Sequence, residues 1–243
     1  MKQSLFEILS NENIAKDIYK MVLKGDTSAI TAPGQFINIK IDGFFLRRPI
    51  SVCDYNSENV TIIYKVVGSG TEVMANMKIG EKLDILSGLG NGFDTSKSGK
   101  TPVLIGGGVG VPPMYNLCKV LINEGKNVKV ILGFNSADDV FYENEFKALG
   151  ADIYVATADG SYGTKGFVTD VLKDIEYSYF YTCGPNPMFK AIENIAKTSG
   201  QYSFEERMGC GFGACMGCSC KTKYKNIRIC KDGPVLEREV IVW

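Results

Sequence analysis

The sequence predicts a multi-domain protein: an antiparallel β-barrel, then an α/β domain with a parallel sheet, then a small C-terminal domain rich in cysteine. Three observations lead to this fold class. Short β-rich stretches with period-two alternation fill the first hundred residues, which is typical of antiparallel barrels and sandwiches. From Thr101 onward, apolar runs alternate with helical stretches, as in a parallel sheet covered by helices. Five of the eight cysteines fall in the last 43 residues, where apolar side chains are too few to form a core.

The barrel is predicted from five stretches and one short helix. The helix is expected over Thr71–Met77, with Thr71 as its N-cap after Gly68-Ser69-Gly70. A polar stretch at 95–99 is predicted to be a linker. The strand stretches are 18–25, 34–41, 47–56, 59–70 and 80–93.

The α/β domain is predicted from four strand and helix pairs. Its first strand, PVLIGG at 102–107, is a continuous apolar run of the kind that is buried on both faces. The other strands are predicted at 127–134, 151–157 and 178–184, and the helices at 113–124, 143–149, 168–175 and 187–198.

The composition is that of a globular protein with a full core. Of 243 residues, 45% are hydrophobic and 22% are charged. Lys plus Arg and Asp plus Glu each number 27, so no net charge attracts nucleic acid or anionic lipid. The first twenty residues carry charges throughout, unlike a signal peptide, and no uncharged run reaches the length of a membrane span. We therefore expect a cytoplasmic protein that binds neither nucleic acid nor membrane.

The chain contains no histidine, and this restricts its chemistry. Ser-His-Asp and Cys-His nucleophiles, His-ligated zinc, His-ligated haem and Rieske centres are all excluded. The remaining resources are a cofactor, cysteines, carboxylates and lysines. No acid–base pair suited to oxidising a carbon substrate is evident, so we expect that chemistry on another chain.

The C-terminal cysteines form the most specific motif. Cys210, Cys215, Cys218 and Cys230 have the spacing C-x4-C-x2-C-x11-C, which matches the plant-type [2Fe–2S] pattern of three close cysteines and a distant fourth. Nearby glycines allow a loop to wrap closely and direct backbone N–H groups at the sulfur atoms. Zinc, disulfides and buried free cysteines are the alternatives. Zinc usually shows two separated C-x2-C knuckles, and disulfides need an oxidising compartment, so iron–sulfur is favoured.

The other cysteines are interpreted differently. Cys220 follows Cys218 by two residues and is predicted to be a packed thiol that does not bind the cluster. Cys53 and Cys118 lie in apolar surroundings, where a small buried hydrophobe is the expected role.

Two motifs in the barrel half are suited to a phosphate-bearing ligand. RRPISV at 47–52 offers an arginine fork for a phosphate and a serine hydroxyl for a ring atom, although an edge strand with exposed arginines is the more common interpretation. IYKVVGSGT at 63–71 leads through glycines into a helix N-terminus, a site that favours anions.

Two motifs in the α/β half follow strands. IGGGVGVPP at 105–113 lies between a strand and a helix, where glycines allow close approach of a dinucleotide. It lacks the G-x-G-x-x-G spacing, so by itself it also fits a tight turn. CGPNPM at 183–188 follows another strand. Two such motifs on the carboxyl edge of one sheet predict a ligand crevice there.

Taken in order, R-P-I-S, G-x-G-T, GGG-V-G-x-PP and CGP-x-PM resemble the ferredoxin reductase-type flavoprotein family. The C-terminal EERMGCGFGACMGCSC…CKDGPV narrows the resemblance to electron-transfer subunits of two-subunit, NAD-dependent dihydroorotate dehydrogenases. The resemblance covers nearly the whole chain. It implies three domains: an FAD-binding barrel at 1–97, an NAD-binding α/β domain at 98–203 and a [2Fe–2S] cluster domain at 204–243.

The resemblance also implies site residues. Cys183 is expected near the nicotinamide, in the position of a catalytic residue. Photosynthetic-type reductases carry an aromatic residue where Ile50 stands. The expected cluster ligands are Cys210, Cys215, Cys218 and Cys230. The expected cofactor contacts are Arg48, Pro49, Ile50, Ser51, Ile63, Tyr64, Lys65, Gly70 and Thr71 for FAD, and Gly106, Gly107, Gly108 and Gly110 for NAD.

The electron chemistry agrees with this resemblance. Nicotinamide moves two electrons as a hydride, an iron–sulfur centre moves one, and a flavin between them exchanges either. The resemblance implies an FMN-containing catalytic subunit as partner, in a heterotetramer of two copies of each. It implies electron flow from dihydroorotate through FMN, the cluster and FAD to NAD. NAD is expected rather than NADP because residues 101–200 contain no arginine, the residue best suited to a ribose 2′-phosphate.

Two other functions remain open from the sequence. One is the reductase subunit of another complex, such as an anaerobic sulfite reductase or a ferredoxin:NADP transhydrogenase. The small subunit of the latter has Asp at the first cluster position, where this chain has Cys210. The other is a zinc-stabilised, nucleotide-binding regulatory module without turnover, which would lack flavin and iron–sulfur absorption bands.

Overall fold

The computed structural model describes residues 1–243. It confirms the predicted fold class, with a barrel, a parallel-sheet domain and a C-terminal cysteine-rich region. The six-stranded antiparallel barrel closes in the order β1-β2-β5-β4-β3-β6. Helix α1 (Ser69–Asn76) lies between its last two strands in sequence. The barrel strands are β1 (Lys2–Ala15), β2 (Ile18–Lys24), β3 (Phe36–Ile39), β4 (Arg48–Tyr55), β5 (Asn59–Lys65) and β6 (Lys82–Leu89).

Strand β1 is an element that the sequence analysis missed. It pairs antiparallel with both β2 and β6 and so closes the barrel. Phe6 and Ile8 point into the core and are fully buried, whereas Leu5 and Leu9 are exposed. The alternation is present but is masked by apolar residues on both faces, which is why the prediction contained five strands rather than six.

The second sheet has seven strands in the order β10-β9-β8-β7-β11-β12-β15, all parallel except β15, which runs antiparallel to β12. The four predicted strands and helices are present, with ends shifted by a few residues. The strands are β7 (Pro102–Gly107), β8 (Lys129–Phe134), β9 (Asp152–Thr157), β10 (Thr164–Lys165), β11 (Tyr179–Cys183), β12 (Gly200–Ser203) and β15 (Val235–Glu237); the helices are α2 (Val111–Asn123), α3 (Glu143–Leu149), α4 (Val168–Leu172) and α5 (Asn186–Ile195).

The C-terminal region crosses back onto the rest of the protein. A two-stranded sheet of β13 (Ser219–Lys221) and β14 (Asn226–Arg228) leads into the short helix α6 (Ile229–Asp232). The chain then returns to the large sheet through β15. Cys218, Cys230 and Ile229 therefore pack in the same apolar cluster as the large sheet's Phe180 and Tyr202. The region borrows its core from the α/β domain, as its scarcity of apolar residues requires.

The barrel and the parallel sheet pack against each other through β4 and α2. Asp54 on β4 accepts hydrogen bonds from Asn116 (2.9 Å) and from Lys119 (3.0 and 3.1 Å) on α2. The predicted linker at 95–99 forms a short 3-10 turn, and Ser98 is fully buried. None of the α-helices combines the length and apolar character that a bilayer span requires.

Candidate cofactor-binding sites

A cavity of about 570 Å³ lies at the carboxyl edge of the parallel sheet, and we call it the sheet-edge cavity. Gly107 ends β7, Phe134 ends β8 and Gly184 follows β11, and all three line it. Parallel α/β sheets bind nucleotides at this edge. The rest of its lining is Ile18, Lys65, Gly108, Val109, Gly110, Gly133, Asn135, Asp139, Phe141, Gly166, Phe167, Val168, Thr169, Pro185, Pro187, Met188, Ala191 and Glu205.

The glycines of the 105–113 motif allow close packing around this cavity. A Cβ atom on Gly110 would lie 2.1 Å from the carbonyl oxygen of Cys183, and one on Gly107 would lie 2.6 Å from the sulfur of Met188. Gly108 lines the cavity as well, but Gly106 does not. A Cβ on Gly106 would lie 2.8 Å from the Cα of Val111, so this glycine allows close packing between β7 and the start of α2.

A second cavity, of about 370 Å³, lies against the barrel, and we call it the barrel cavity. The structure brings most of the expected flavin contacts together here. Gly70 is outside the lining, but a Cβ on it would lie 2.3 Å from Nε of Arg48, so glycine is needed for the arginine to lie over the helix. The lining includes Arg48, Pro49, Ile50, Ser51, Ile63, Tyr64, Lys65 and Thr71, with Phe36, Val67, Val109, Ser203, Phe204, Glu205, Glu206, Met208 and Pro234.

Thr71 is not the N-cap of α1, and that prediction was wrong. The helix begins at Ser69 after Gly68, and Thr71 lies two residues inside it. Its hydroxyl accepts hydrogen bonds from the backbone N–H groups of Val67 (2.9 Å) and Gly68 (3.2 Å) and donates to the Gly68 carbonyl at 2.9 Å. The side chain reaches back along the chain, so the turn between β5 and α1 is fixed from within the helix.

Tyr64 connects the barrel cavity to the other end of the same helix. Its hydroxyl donates to Oδ1 of Asn11 at 2.9 Å. The amide nitrogen of Asn11 then donates to the carbonyls of Met74 (2.8 Å), Ala75 and Met77 (3.3 Å each). Carbonyls in the last turn of a helix lack the usual intrahelical donors; of these three, the Met74 carbonyl also accepts from the Met77 N–H at 3.2 Å. One asparagine therefore holds both the tyrosine on the cavity wall and the helix that begins beside Arg48.

The two cavities share a boundary made of Lys65, Val109 and Glu205. Glu205 is exposed in the cleft. The protein atoms around its carboxyl displace part of the water there, and this desolvation raises its pKa. Cys183, by contrast, is buried and lines neither cavity. Burial and the nearby charge of Glu205 raise the pKa of the Cys183 thiol, so a neutral thiol lies just behind this boundary.

The cysteine loop, residues 209–218, contains three of the four predicted cluster ligands. The backbone N–H groups of Ala214 (3.2 Å) and Cys215 (3.4 Å) donate to the sulfur of Cys210. That of Gly217 donates to Cys215 at 3.4 Å, and that of Cys230 donates to Cys218 at 3.4 Å. Burial opposes ionisation of Cys210, but backbone donors, first that of Cys215, lower its pKa to about 6.

The four cysteines lie as two neighbouring pairs. The Cys215 N–H donates to the sulfur of Cys210, and the Cys230 N–H donates to the sulfur of Cys218. Burial raises the pKa of Cys230 to about 12, with further contributions from Cys218 and from the charge of Cys210. No three Cys, Asp or Glu side chains of the chain are arranged around the position of a single metal ion.

The remaining cysteines are separate from these pairs. Cys220 is half-buried in β13, its thiol lies 3.7 Å from the carbonyl of Lys221, and burial raises its pKa. Cys53 and Cys118 are fully buried in the apolar core, as predicted, and burial raises the pKa of each thiol.

Several lining residues were missed by the sequence analysis. The most important is the segment 203–208, which contributes Phe204, Glu205, Glu206 and Met208 to the barrel cavity. It directly follows β12, a four-residue strand that was not predicted. Glu205 and Glu206 belong to the EERM sequence quoted for the resemblance, but their acidic side chains carried no motif of their own.

Two parts of the chain match known domain families. Residues 205–242 match the iron–sulfur cluster binding domain of dihydroorotate dehydrogenase B, and residues 104–194 match the oxidoreductase NAD-binding domain. Among solved structures, that of an NADH-dependent reduced ferredoxin-NADP oxidoreductase has a TM-score of 0.88 at 28% sequence identity. The match covers 99% of this chain and 90% of the other. The ferredoxin reductase of a carbazole 1,9a-dioxygenase has a TM-score of 0.70 at 22% identity, covers 80% of this chain and 65% of its own, and shows the fold alone.

Two curated relatives match nearly end to end. The dihydroorotate dehydrogenase B (NAD(+)) electron transfer subunit of Bacillus velezensis is 48% identical and covers 99% of each chain. The subunit of the same name from Fusobacterium nucleatum is 50% identical and covers 93% of each chain. With the cluster-domain match and two cavities that meet at one boundary, this similarity shows that the chain belongs to the family of dihydroorotate dehydrogenase B (NAD(+)) electron transfer subunits.

Proposed function

We propose that this chain is an oxidoreductase subunit that carries electrons from a dihydroorotate-oxidising, FMN-containing partner through a [2Fe–2S] cluster and FAD to NAD+, in pyrimidine biosynthesis. One observation carries the proposal beyond family membership. The barrel cavity and the sheet-edge cavity share Lys65, Val109 and Glu205, while the cysteine loop packs on the barrel, where Asn38 donates to the Cys210 carbonyl at 3.3 Å. Two cavities that share a wall, with the cysteine loop packed on the adjoining barrel, suit electron transfer among three cofactors.

The barrel cavity fits FAD. Gly70 leaves space that the Arg48 guanidinium occupies, since a Cβ there would lie 2.3 Å from Nε. Arg48 would hold a phosphate of the cofactor as a charged fork, next to the turn that Thr71 fixes. Ser51 and Tyr64 would offer hydroxyls on the cavity wall. Pro49, Ile50, Ile63 and Lys65 complete the wall.

The sheet-edge cavity fits a nicotinamide dinucleotide. Gly107, Gly108 and Gly110 line it and lead directly into α2, whose N-terminus favours the pyrophosphate. No arginine lines this cavity to bind a ribose 2′-phosphate, and the acidic Asp139 lines it instead. These features favour NAD over NADP.

The cysteine pairs fit a binuclear cluster. A [2Fe–2S] centre places two cysteine ligands on each of two irons, and the chain offers Cys210 with Cys215 and Cys218 with Cys230. Four backbone N–H groups already point at their sulfur atoms. Such donors would stabilise negative charge on the sulfurs and so tune the potential of the centre.

The division of labour follows from what each group supplies. Bound FAD would exchange one electron with the cluster and two with the nicotinamide. The chain's own residues bind and orient the cofactors. Cys183 contributes a neutral, buried thiol directly behind the boundary of the two cavities, which suits packing beside the nicotinamide site rather than nucleophilic attack.

We further propose the domain limits 1–97, 98–203 and 204–243, a cytoplasmic location, and a heterotetramer with two copies of each subunit. The break near 97–98 lies between the barrel and β7, and the break near 203–204 follows β12. The dehydrogenase function is preferred over a transhydrogenase or sulfite reductase subunit because the curated relatives at 48% and 50% identity carry the dihydroorotate dehydrogenase name. The match of residues 205–242 to an iron–sulfur cluster binding domain disfavours a zinc-stabilised module.

Reconstitution tests the proposal. The purified chain is expected to show flavin and iron–sulfur absorption and to reduce a dye with NADH, but to leave dihydroorotate unchanged. Adding the FMN-bearing subunit should create dihydroorotate-dependent reduction of NAD+. Oxidation of dihydroorotate by the chain alone, or a spectrum without flavin and iron–sulfur bands, would contradict the proposal.

A further inference from the structure

The boundary between the two cavities contains an unpaired carboxylate. Of its three residues, Lys65 and Glu205 are charged and Val109 is apolar. The Glu205 carboxylate makes no hydrogen bond and no ion pair with the protein, and Lys65 lies on the same boundary without reaching it. By comparison, Asp139 in the same cavity accepts a hydrogen bond from Ser136 at 3.1 Å. The exposed oxygens of Glu205 are therefore free to accept from water or to face a ligand that enters the cavities.

The backbone fixes the position of Glu205. It lies two residues after Ser203, which pairs with Cys183 on one side and with Val235 on the other. The Phe204 N–H between them donates to the Pro234 carbonyl at 3.0 Å. The charge of Glu205 is close enough to Cys183 to affect that thiol. The backbone that carries Glu205 is thus held at the ends of β11 and β12 rather than lying on a free loop.

The location of Glu205 matters because hydride transfer needs the two rings in contact, with reacting atoms about 3–3.5 Å apart. Only the shared boundary is open to both a flavin in one cavity and a nicotinamide in the other. The nicotinamide ring is a cation in NAD+ and is neutral in NADH, since the hydride brings two electrons and one proton. A fixed negative charge here interacts differently with the two forms, whereas the pyrophosphate is the same in both.

We propose that the Glu205 carboxylate makes this chain bind NAD+ in preference to NADH by facing the cationic nicotinamide ring where the two cavities meet. This rests on the proposed function, because it requires FAD and NAD in those cavities. This preference would favour electron transfer to NAD+. NAD+ binds more tightly, whereas NADH, whose nicotinamide ring has lost its positive charge, dissociates more readily.

The test compares two ligands on the FAD-loaded full-length chain. NAD+ carries the ring charge, and tetrahydro-NAD has an uncharged ring that donates no hydride to the flavin. The dissociation constant of each is measured by titration calorimetry and by the perturbation of the flavin spectrum. In Glu205→Gln we expect the dissociation constant for NAD+ to rise by about fivefold to tenfold, while that for tetrahydro-NAD stays within about twofold or falls.

Two further variants separate charge from shape. Glu205→Asp keeps the charge and should retain most of the preference for NAD+. Glu58→Gln removes an exposed carboxylate that lines neither cavity and should leave both constants unchanged. In the wild type the preference should shrink as salt rises, because ions screen the interaction, whereas the Glu205→Gln ratio should stay flat.

The outcomes distinguish the inference from the function on which it rests. Equal weakening of both ligands in Glu205→Gln, or no change in either, would overturn the role of Glu205 while leaving the electron-transfer function intact. If the FAD-loaded wild type binds neither ligand, the proposed function fails and this inference fails with it. The flavin content of each variant shows that it is folded.

Discussion

The two cavities and the cysteine loop are built in different ways. The walls of the cavities come from the ends of paired strands and from the turns and helices that follow them, backed by buried apolar clusters. The cysteine loop has no helix or strand between residues 204 and 218, and Gly211, Gly213 and Met216 adopt positive φ values of 79°, 92° and 62°. Within the loop, backbone N–H groups donate hydrogen bonds to cysteine sulfur atoms. We therefore expect apolar packing to keep the cavities in shape, and the bound cluster to keep the loop in its conformation.

Removing a cluster ligand should have the largest effect and should stay within the loop. Cys218→Ala is expected to lose essentially all iron and sulfide, because one of the two sulfur pairs is broken, while FAD and NAD+ binding persist. Iron and sulfide per chain, flavin content and NAD+ affinity are measured together. Cys220→Ala is the control and should keep its cluster. Full iron in Cys218→Ala, or complete loss in Cys220→Ala, would show that the ligands are assigned wrongly.

A methyl group on Gly110 should disturb the packing between β11 and the turn that lines the sheet-edge cavity. In Gly110→Ala the new Cβ would lie 2.1 Å from a backbone oxygen that cannot rotate away, so we expect a loss of about 2–3 kcal/mol in stability and weaker NAD+ binding. Thermal unfolding and calorimetric titration measure these changes. Gly68→Ala, which has open space and an extended φ of −179°, should be nearly neutral. Equal stability of the two variants would refute the close-packing argument.

Truncating the arginine of the barrel cavity should release FAD without touching the cluster. Arg48→Ala removes a charged hydrogen-bonding fork, a contribution of about 1.5–3 kcal/mol, which corresponds to FAD binding weaker by about tenfold to a hundredfold. Flavin fluorescence during dialysis reports the loss, and iron content serves as the internal control. Arg48→Lys should fall in between, because it keeps the charge but loses the fork. Retention of stoichiometric FAD by Arg48→Ala would mean that Arg48 is only a surface residue.

The smallest effect is expected at a residue that touches no cofactor. Asn11→Ala removes the acceptor of the Tyr64 hydroxyl and one donor to the carbonyls at the end of α1, at a cost of about 1–2 kcal/mol. FAD affinity should fall modestly, because α1 and the tyrosine loosen together. Hydrogen exchange of α1 in the flavin-free chain tests this without activity. Asn76→Ala, which removes an exposed bond to the Glu72 carbonyl, should cost less than about 0.5 kcal/mol; if the two variants match, Asn11 has no positioning role.

The contrast between the regions also explains which features were predictable. The cysteine spacing is local, so Cys210, Cys215 and Cys218 could be recognised from a few neighbouring letters. Four strands of the parallel sheet were also readable, because PVLIGG and its equivalents are largely apolar runs, whereas the short strands β10, β12 and β15 were not predicted. Strand β1 was missed because Leu5 and Leu9 are exposed on its outer face and blur the alternation that marks Phe6 and Ile8.

Contacts between residues far apart in the chain could not be predicted from the sequence. The order of the amino acids contains the fold class, the cysteine motif and the glycine turns, because each depends on residues close together in the chain. Only the tertiary structure brings β15 beside β12, Asn11 beneath Tyr64, and Glu205 to the boundary of two cavities. The partners in these contacts are between about thirty and 140 residues apart. Such contacts form when apolar surfaces far apart in the chain are buried together. The sequence around one partner does not indicate which distant residue it will contact.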